Sequence, residues 1–195
     1  MSSHRFLIRG LVLFFLFAIP LCGLFPRQET KSTSTRWQLQ FILGANGEGK
    51  QAQALLHSGH VADAEKAAEA DLHTMMARAS FGSFSLLLPY NNLGVVYATE
   101  GKYSEAHKMF ARAIGLGRAA VSQGEMSSGY SAGSTYRQAG AGGGKGVVVQ
   151  KKLLALCLMN NAATFRMEGK MAEAASLEHQ AHILDPNLPL PASDR

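Results

Sequence analysis

The sequence predicts an all-α fold built from antiparallel helix hairpins, with an apolar segment at the N-terminus. Two observations predict the hairpins: small and large apolar residues recur at helical spacing in the centre of the chain, and much of that pattern returns 68 positions later. The third observation is an uncharged run over residues 10–25, which sets the N-terminus apart from the rest of the 195-residue chain.

Residues 1–27 have the composition of a signal peptide or membrane anchor. Arg5 and Arg9 precede the run GLVLFFLFAIPLCGLF, and a basic start followed by an apolar stretch is typical of a secretory signal. Counted from Phe6 the stretch has 20 residues, about the length that a membrane-spanning helix prefers. Residues 21–26 offer no small-residue cleavage site, which favours an uncleaved anchor over a cleaved signal; both interpretations stay open.

Residues 28–46 are predicted to be a polar tether, because the stretch QETKSTSTR at its start lacks apolar periodicity. A short basic N-terminus usually remains inside. We therefore expect a single N-terminal helix to hold the repeats on the far side of the membrane, in a periplasmic or extracytoplasmic space. Secretion after signal cleavage is the alternative.

The first helix of the central hairpin is predicted around Leu93. Leu93 and Tyr97 lie four residues apart, so they share one face of a helix. Gly94 is small where a second helix must come close. Gly101 ends the helix with the left-handed conformation that glycine adopts freely.

The second helix of this hairpin follows directly. Ala106 and Ala113 are seven residues apart and small at the contact, while Phe110 fills the space between the two helices. Small residues facing large ones at helical spacing are what a close antiparallel hairpin requires.

Two further copies of the hairpin are predicted. Ten positions of the central copy correspond to positions 68 residues later, and eight of the ten pairs are identical. The corresponding sets are Asn92, Gly94, Tyr97, Glu100, Gly101, Lys102, Glu105, Ala106, Ala113 and Leu116, and Asn160, Ala162, Phe165, Glu168, Gly169, Lys170, Glu173, Ala174, Ala181 and Leu184. A fainter upstream copy places Gly59 and Ala64 at a spacing of 42 from Gly101 and Ala106.

The central pattern resembles the tetratricopeptide repeat (TPR) family, and it reads Tyr90-x-x-Leu93-Gly94-x-x-Tyr97, Gly101-Lys102-Tyr103 and Ala106-x-x-x-Phe110-x-x-Ala113. The spacing of 42 residues is similar to the longer-period, kinesin-light-chain-like branch. The resemblance implies a short TPR superhelix, with repeats 1 and 2 in residues 47–120, repeat 3 in residues 147–186 and a tail at 187–195. The last copy has Asn161 where the family has leucine and Glu178 where it has phenylalanine.

Residues 121–146 are predicted to be a flexible Gly/Ser-rich insertion between repeats 2 and 3. The stretch GSTYRQAGAGGGKG has too little apolar surface to offset the entropy of ordering it. Each interior glycine also costs a helix about 1 kcal/mol relative to alanine.

The resemblance implies a scaffold for protein–protein interaction and not an enzyme. The first helices of stacked hairpins line a concave groove. The family's groove positions fall here on Leu88, Asn91, Asn92, Val95, Thr99, Leu156, Met159, Asn160, Ala163, Arg166 and Met167. In relatives an asparagine at the shared position of Asn92 and Asn160 often holds a peptide backbone, although asparagine is also simply common there.

The expected partner is another protein, or a peptide segment of one, bound in this groove. Together with the N-terminal helix in the membrane, the groove predicts a role in assembling or organising a complex of the cell envelope. Apolar residues at the end of the last helix, among them Ile183 and Leu184, favour a homodimer.

Other classes of function have weaker support. Lysine and arginine are scattered and the net charge is only +5, which argues against nucleic-acid binding. Gly44-x-x-x-x-Gly49-Lys50 matches part of a phosphate-binding loop, but Gln51 stands where Ser or Thr would hold magnesium. A small nucleotide-binding protein is therefore one alternative, and a structural membrane subunit that acts through its N-terminal helix is another.

No catalytic group, cofactor site or metal site is predicted. The histidine pairs, His57 with His60 and His179 with His182, have no carboxylate or thiolate companions at ligand spacing. No serine, cysteine or carboxylate pair has a base at a recognisable spacing.

Overall fold

The computed structural model describes residues 38–44, 47–80, 83–131 and 143–188. Within these ranges the chain is helical and contains no strand, which confirms the predicted all-α class. The six helices are α1 (Lys50–His57), α2 (Val61–Arg78), α3 (Leu87–Thr99), α4 (Tyr103–Ser131), α5 (Gly143–Met167) and α6 (Met171–Leu184). A 3₁₀ turn at Phe84–Leu86 leads into α3.

The predicted signal or anchor, residues 1–27, lies outside the described residues. No helix within the described ranges is both long and apolar enough to span a membrane.

Three connections of the same geometry join the helices into hairpins. Gly59, Gly101 and Gly169 have φ values of 81°, 80° and 80°. At the central turn the Gly101 N–H donates to the Ala98 carbonyl at 3.2 Å, and the Lys102 N–H donates to the Tyr97 carbonyl at 2.9 Å. This is the Schellman pattern, and the same two bonds occur at the other two glycines. Because each turn reverses the chain within three residues, the paired helices are antiparallel.

Small residues stand where the helices of a hairpin meet, as the sequence predicted. Ala64, Ala106 and Ala174, five residues after the three glycines, are all fully buried. A Cβ added at Gly94 would lie 2.7 Å from the ring of Phe110, which is itself fully buried on α4. The glycine thus allows α3 and α4 to approach, and the phenylalanine fills the space that remains.

Each helix packs against the next along the chain, and α3 also contacts α5 directly. The main core runs through the two larger hairpins and includes Leu87, Phe110, Leu158 and Met159. A second, smaller cluster joins α1 and α2 to α3 through Ala52, Ala64, Ala68, Leu93 and Val96.

The helices that flank the predicted insertion, residues 121–146, are longer than the sequence suggested. Helix α4 continues to Ser131 and α5 begins at Gly143, while residues 132–142 lie outside the described ranges. Gly124 explains part of the difference, because a Cβ there would lie 2.5 Å from Cγ2 of Val147 on α5. At this position glycine permits close packing of two helices, a role that composition alone does not distinguish from flexibility.

Candidate peptide-binding site on α3 and α5

Three asparagines lie at the centre of the face that α3 and α5 share. Asn91 and Asn92 follow one another in α3, Asn160 lies in α5, and the three side chains are 0%, 3% and 0% exposed. A buried amide needs hydrogen-bond partners for both its oxygen and its nitrogen. Here the partners are supplied largely by the chain's own residues 38–44, which we call the groove segment.

Asn92 makes two hydrogen bonds to a single residue of the groove segment. Its Oδ1 accepts from the Ile42 N–H at 2.8 Å, and its Nδ2 donates to the Ile42 carbonyl at 2.8 Å. A carboxamide has the same donor and acceptor groups as a peptide unit, so it can satisfy both polar groups of one backbone residue.

Asn160 repeats this arrangement two residues earlier in the groove segment. Its Oδ1 accepts from the Gln40 N–H at 3.0 Å, and its Nδ2 donates to the Gln40 carbonyl at 2.8 Å. Asn91 Nδ2 donates to the same carbonyl at 3.1 Å. Backbone groups of residues two apart point the same way only in an extended chain, so the groove segment is extended across α3 and α5.

The asparagines also bond to one another. Asn160 Nδ2 donates to Asn91 Oδ1 at 2.9 Å, and Asn91 Nδ2 donates to Asn92 Oδ1 at 3.3 Å. The resulting network holds each amide in one orientation, and each amide directs at least one polar atom at the groove segment. Such a network is worth most when every member is satisfied, because a buried amide without partners is costly.

Ile42 is the side chain that anchors the groove segment. It is 7% exposed and belongs to the main core together with Val95, Met159 and Ala163. The neighbouring Leu39 and Phe41 are only partly buried against that core. The segment is thus held by one apolar anchor and by backbone hydrogen bonds that make no demand on side-chain identity.

A glycine-rich turn connects the groove segment to α1. Gly49 has φ 80°, and a Cβ there would lie 2.5 Å from Asn92 Nδ2. Its N–H donates to Asp71 Oδ2 on α2 at 2.6 Å. In the nucleotide-binding alternative this N–H would face a phosphate, but it is already bonded to a carboxylate. No strand precedes the turn among the described residues, where a phosphate-binding loop would require one.

The structure gathers most of the predicted groove residues but covers them. Six of them are buried and line the site beneath the groove segment: Asn91, Asn92, Val95, Met159, Asn160 and Ala163. Leu88 and Leu156 are partly buried against the main core. The sequence did not predict that the chain itself would occupy the groove.

Three of the predicted positions lie apart from the asparagines' contacts. The hydroxyl of Thr99, which is exposed, donates to the Val95 carbonyl within α3 at 2.8 Å. Arg166 directs its guanidinium at Glu178 on α6, with nitrogen–oxygen distances of 2.6 and 2.8 Å. Met167, the last residue of α5, is partly exposed.

The last hairpin has polar residues at two positions where the central hairpin has Leu93 and Phe110, and both have polar partners. Glu178, in place of phenylalanine, forms the ion pair with Arg166. Asn161, in place of leucine, bonds through Oδ1 to Nδ1 of His107 on α4 at 2.5 Å. Nε2 of His107 contacts Glu168, and its ring stacks on Phe165 with centroids 3.9 Å apart. In the last hairpin, polar contacts thus join α5 to α4 and to α6 at positions where the central hairpin has apolar side chains.

Lys170 completes the cluster around His107. Its Nζ donates to Glu168 at 2.7 Å, and this bond, with the contact to His107, lowers the pKa of the Glu168 carboxyl. The cluster therefore keeps that carboxylate ionised to lower pH than an isolated glutamate.

No family model matches this sequence, and no curated protein does.

Proposed function

We propose that the protein is a TPR-type scaffold for protein–protein interaction, which binds an extended segment of a partner protein across α3 and α5. The observation that carries the proposal is the pairing of Asn92 and Asn160 with the N–H and carbonyl groups of alternate backbone residues. The site thus has the chemistry of a peptide receptor, whatever chain supplies the peptide.

The physical argument concerns which groups are recognised. Every non-proline residue has the same backbone N–H and carbonyl, so paired amide bonds give affinity for an extended chain without restricting its sequence. Selectivity then comes from the one buried side-chain position, which Ile42 fills in this structure. A partner needs a branched aliphatic residue there and a free N–H two residues earlier.

The TPR assignment is supported by repetition within the chain. Three hairpins turn on glycines at 59, 101 and 169 with the same hydrogen bonds, and a buried alanine follows each glycine after five residues. Under this assignment α1, α3 and α5 are the first helices of three repeats and line one groove. Asn92 and Asn160 then occupy equivalent positions, 68 residues apart, and Lys50 is their counterpart in α1.

The proposed setting is the cell envelope. The support is the basic start and uncharged run of residues 1–25, which is typical of an anchor or an export signal. A scaffold held there by its N-terminus would assist the assembly or organisation of an envelope complex, as a monomer or a homodimer. Loss of the partner when residues 1–27 are removed, with Asn92 and Asn160 intact, would instead favour a structural membrane subunit that acts through its N-terminal helix.

The test is co-purification of the full chain from its own membrane, with the wild type beside Asn92→Ala with Asn160→Ala. We expect the double variant to lose its partner, because four hydrogen bonds to the bound backbone are removed. Asn187→Ala is the matched control, since this exposed asparagine follows α6 and its hydrogen bonds within the described residues go to Asp185. Circular dichroism checks that all three proteins keep their helix content. Undiminished capture by a folded double variant would refute binding at this site.

A further inference from the structure

We infer that the groove segment, residues 38–44, is an intramolecular ligand that occupies the partner's site and must leave before the partner binds. This inference rests on the proposed function, because it concerns the regulation of the same site. The occupant of the site is a segment of this chain, because the Gln40 and Ile42 N–H groups donate to Asn160 and Asn92.

The contacts of the groove segment are those of a ligand more than those of a core element. Within the described residues, the hydrogen bonds between the groove segment and helices α3 and α5 are made by side-chain amides of the helices, and none involves the backbone of either helix. Helices α3 and α5 therefore keep their own backbone bonds when the segment departs. Only Ile42 is buried; Leu39 and Phe41 are partly buried against the core, and Gln40 and Leu43 are exposed.

The connection to α1 allows the groove segment to move while the first hairpin stays in place. Three of the six residues from Gly44 to Gly49 are glycines, which bend at low steric cost. The end nearer α1 is fixed, because the Gly49 N–H bonds to Asp71 and the Lys50 N–H bonds to the Gly47 carbonyl at 3.2 Å. The turn is itself closed by hydrogen bonds from the Gly44 N–H to the Glu48 carbonyl at 3.0 Å and from the Gly47 N–H to the Gly44 carbonyl at 3.2 Å, so the part of the groove segment that moves is residues 38–43.

A displacing partner is defined by what the groove segment supplies. It is an extended stretch with a branched aliphatic residue for the Ile42 position and free backbone groups at that residue and two residues earlier. Occupancy in cis reduces the partner's apparent affinity by the fraction of molecules in which the site is open. A site that is open in about 1–10% of molecules weakens binding about tenfold to a hundredfold.

The first experiment measures binding of a labelled, end-blocked synthetic peptide of sequence QLQFILG to the full chain in detergent micelles. The variant Gln40→Pro with Ile42→Pro removes the two N–H groups that the groove segment donates to the asparagines, so it should bind the peptide at least about tenfold more tightly than the wild type. Ser80→Pro is the control. Ser80 is exposed and follows Ala79, whose backbone is extended, so a proline fits there. The Ser80 N–H makes no hydrogen bond within the described residues.

The second experiment needs no substitution, so it decides the matter even if the proline variant misfolds. Hydrogen exchange of the Gln40 and Ile42 amides in the wild-type full chain should be at least about tenfold faster than that of amides within α3, because the segment opens locally. Exchange at the rate of the α3 amides would overturn the inference and make the segment a permanent part of the fold.

The outcomes separate this inference from the proposed function. Tighter binding by the proline variant alone supports both. Equal, measurable binding by the wild type, the variant and the control overturns the intramolecular ligand and leaves peptide binding standing. Absence of binding by a folded variant, with fast exchange at Gln40 and Ile42, overturns the proposed function and the inference with it.

Discussion

The central hairpin turn offers a clean test of the fold, because the cost of substitution at Gly101 comes from backbone conformation alone. Gly101 has φ 80°, and a Cβ added there would meet no described atom within 4 Å. A non-glycine residue in the left-handed region costs about 1–2 kcal/mol, while alanine recovers about 0.4–1 kcal/mol by restricting the unfolded chain. We expect Gly101→Ala to lower the free energy of unfolding by about 1 kcal/mol.

Asparagine tolerates the left-handed region, so Gly101→Asn should cost clearly less than Gly101→Ala. The assay is urea denaturation of the full chain in detergent, monitored by circular dichroism. The dependence of the unfolding free energy on urea concentration should be the same for all variants. Gly59→Ala and Gly169→Ala should behave alike, since their φ values are 81° and 80°. Equal stability of the alanine and asparagine variants, or a loss above about 3 kcal/mol, would refute a left-handed, uncrowded turn.

Three further predictions follow from contacts elsewhere in the molecule. Gly94→Ala should lower the free energy of unfolding. A Cβ 2.7 Å from the Phe110 ring costs about 1–3 kcal/mol, which outweighs a gain in helix propensity of about 1 kcal/mol. Gly115→Ala, whose Cβ would lie in open space, should instead raise the free energy of unfolding in the same urea assay. Ile42→Ala should lower the free energy of global unfolding by less than Leu158→Ala does, because a weakened groove segment detaches without unfolding the helices. For a core leucine such as Leu158 a loss of about 2–5 kcal/mol is usual. Equal losses for the two variants would contradict this prediction. Glu168→Gln should lower the free energy of unfolding at neutral pH. The difference in unfolding free energy between the variant and the wild type should become smaller as the pH falls below the ordinary glutamate pKa of about 4.3. Lys170 and His107 lower the pKa of Glu168 in the folded protein. The stabilisation is therefore present above the pKa of the unfolded chain and is lost as the pH falls through the pKa of the folded protein. A stability difference that does not change with pH would contradict this prediction.

The helices and their turns were predictable because their determinants are local in sequence. A glycine that closes a Schellman turn and an alanine five residues later are specified within a single hairpin, and they recur at 59, 101 and 169. The faint first copy illustrates this. Its prediction rests mainly on Gly59 and Ala64. Gly59 has the φ value and the hydrogen bonds of the other two glycines, and Ala64 is buried like Ala106 and Ala174.

The occupant of the groove could not be predicted in the same way. Residues 38–44 have no helical periodicity, and the groups that bind them to the asparagines are backbone groups present in every residue. Four of the seven residues have apolar side chains, but only Ile42 is buried. A short apolar run does not by itself show which of its residues will be buried or against what. Asn161 and Glu178 posed a related difficulty, because the partners that satisfy them are set by tertiary packing of α4 and α5.

The most direct test of the central claim is the register of a bound peptide. Isotope-labelled QLQFILG, bound to the full-length Gln40→Pro with Ile42→Pro variant, would be followed by amide hydrogen exchange at each residue. Paired asparagine bonds predict protection at two amides two residues apart, those of the glutamine and isoleucine that correspond to Gln40 and Ile42, with fast exchange at the phenylalanine between them. Protection of consecutive amides, or of none, would contradict recognition of an extended backbone by Asn92 and Asn160.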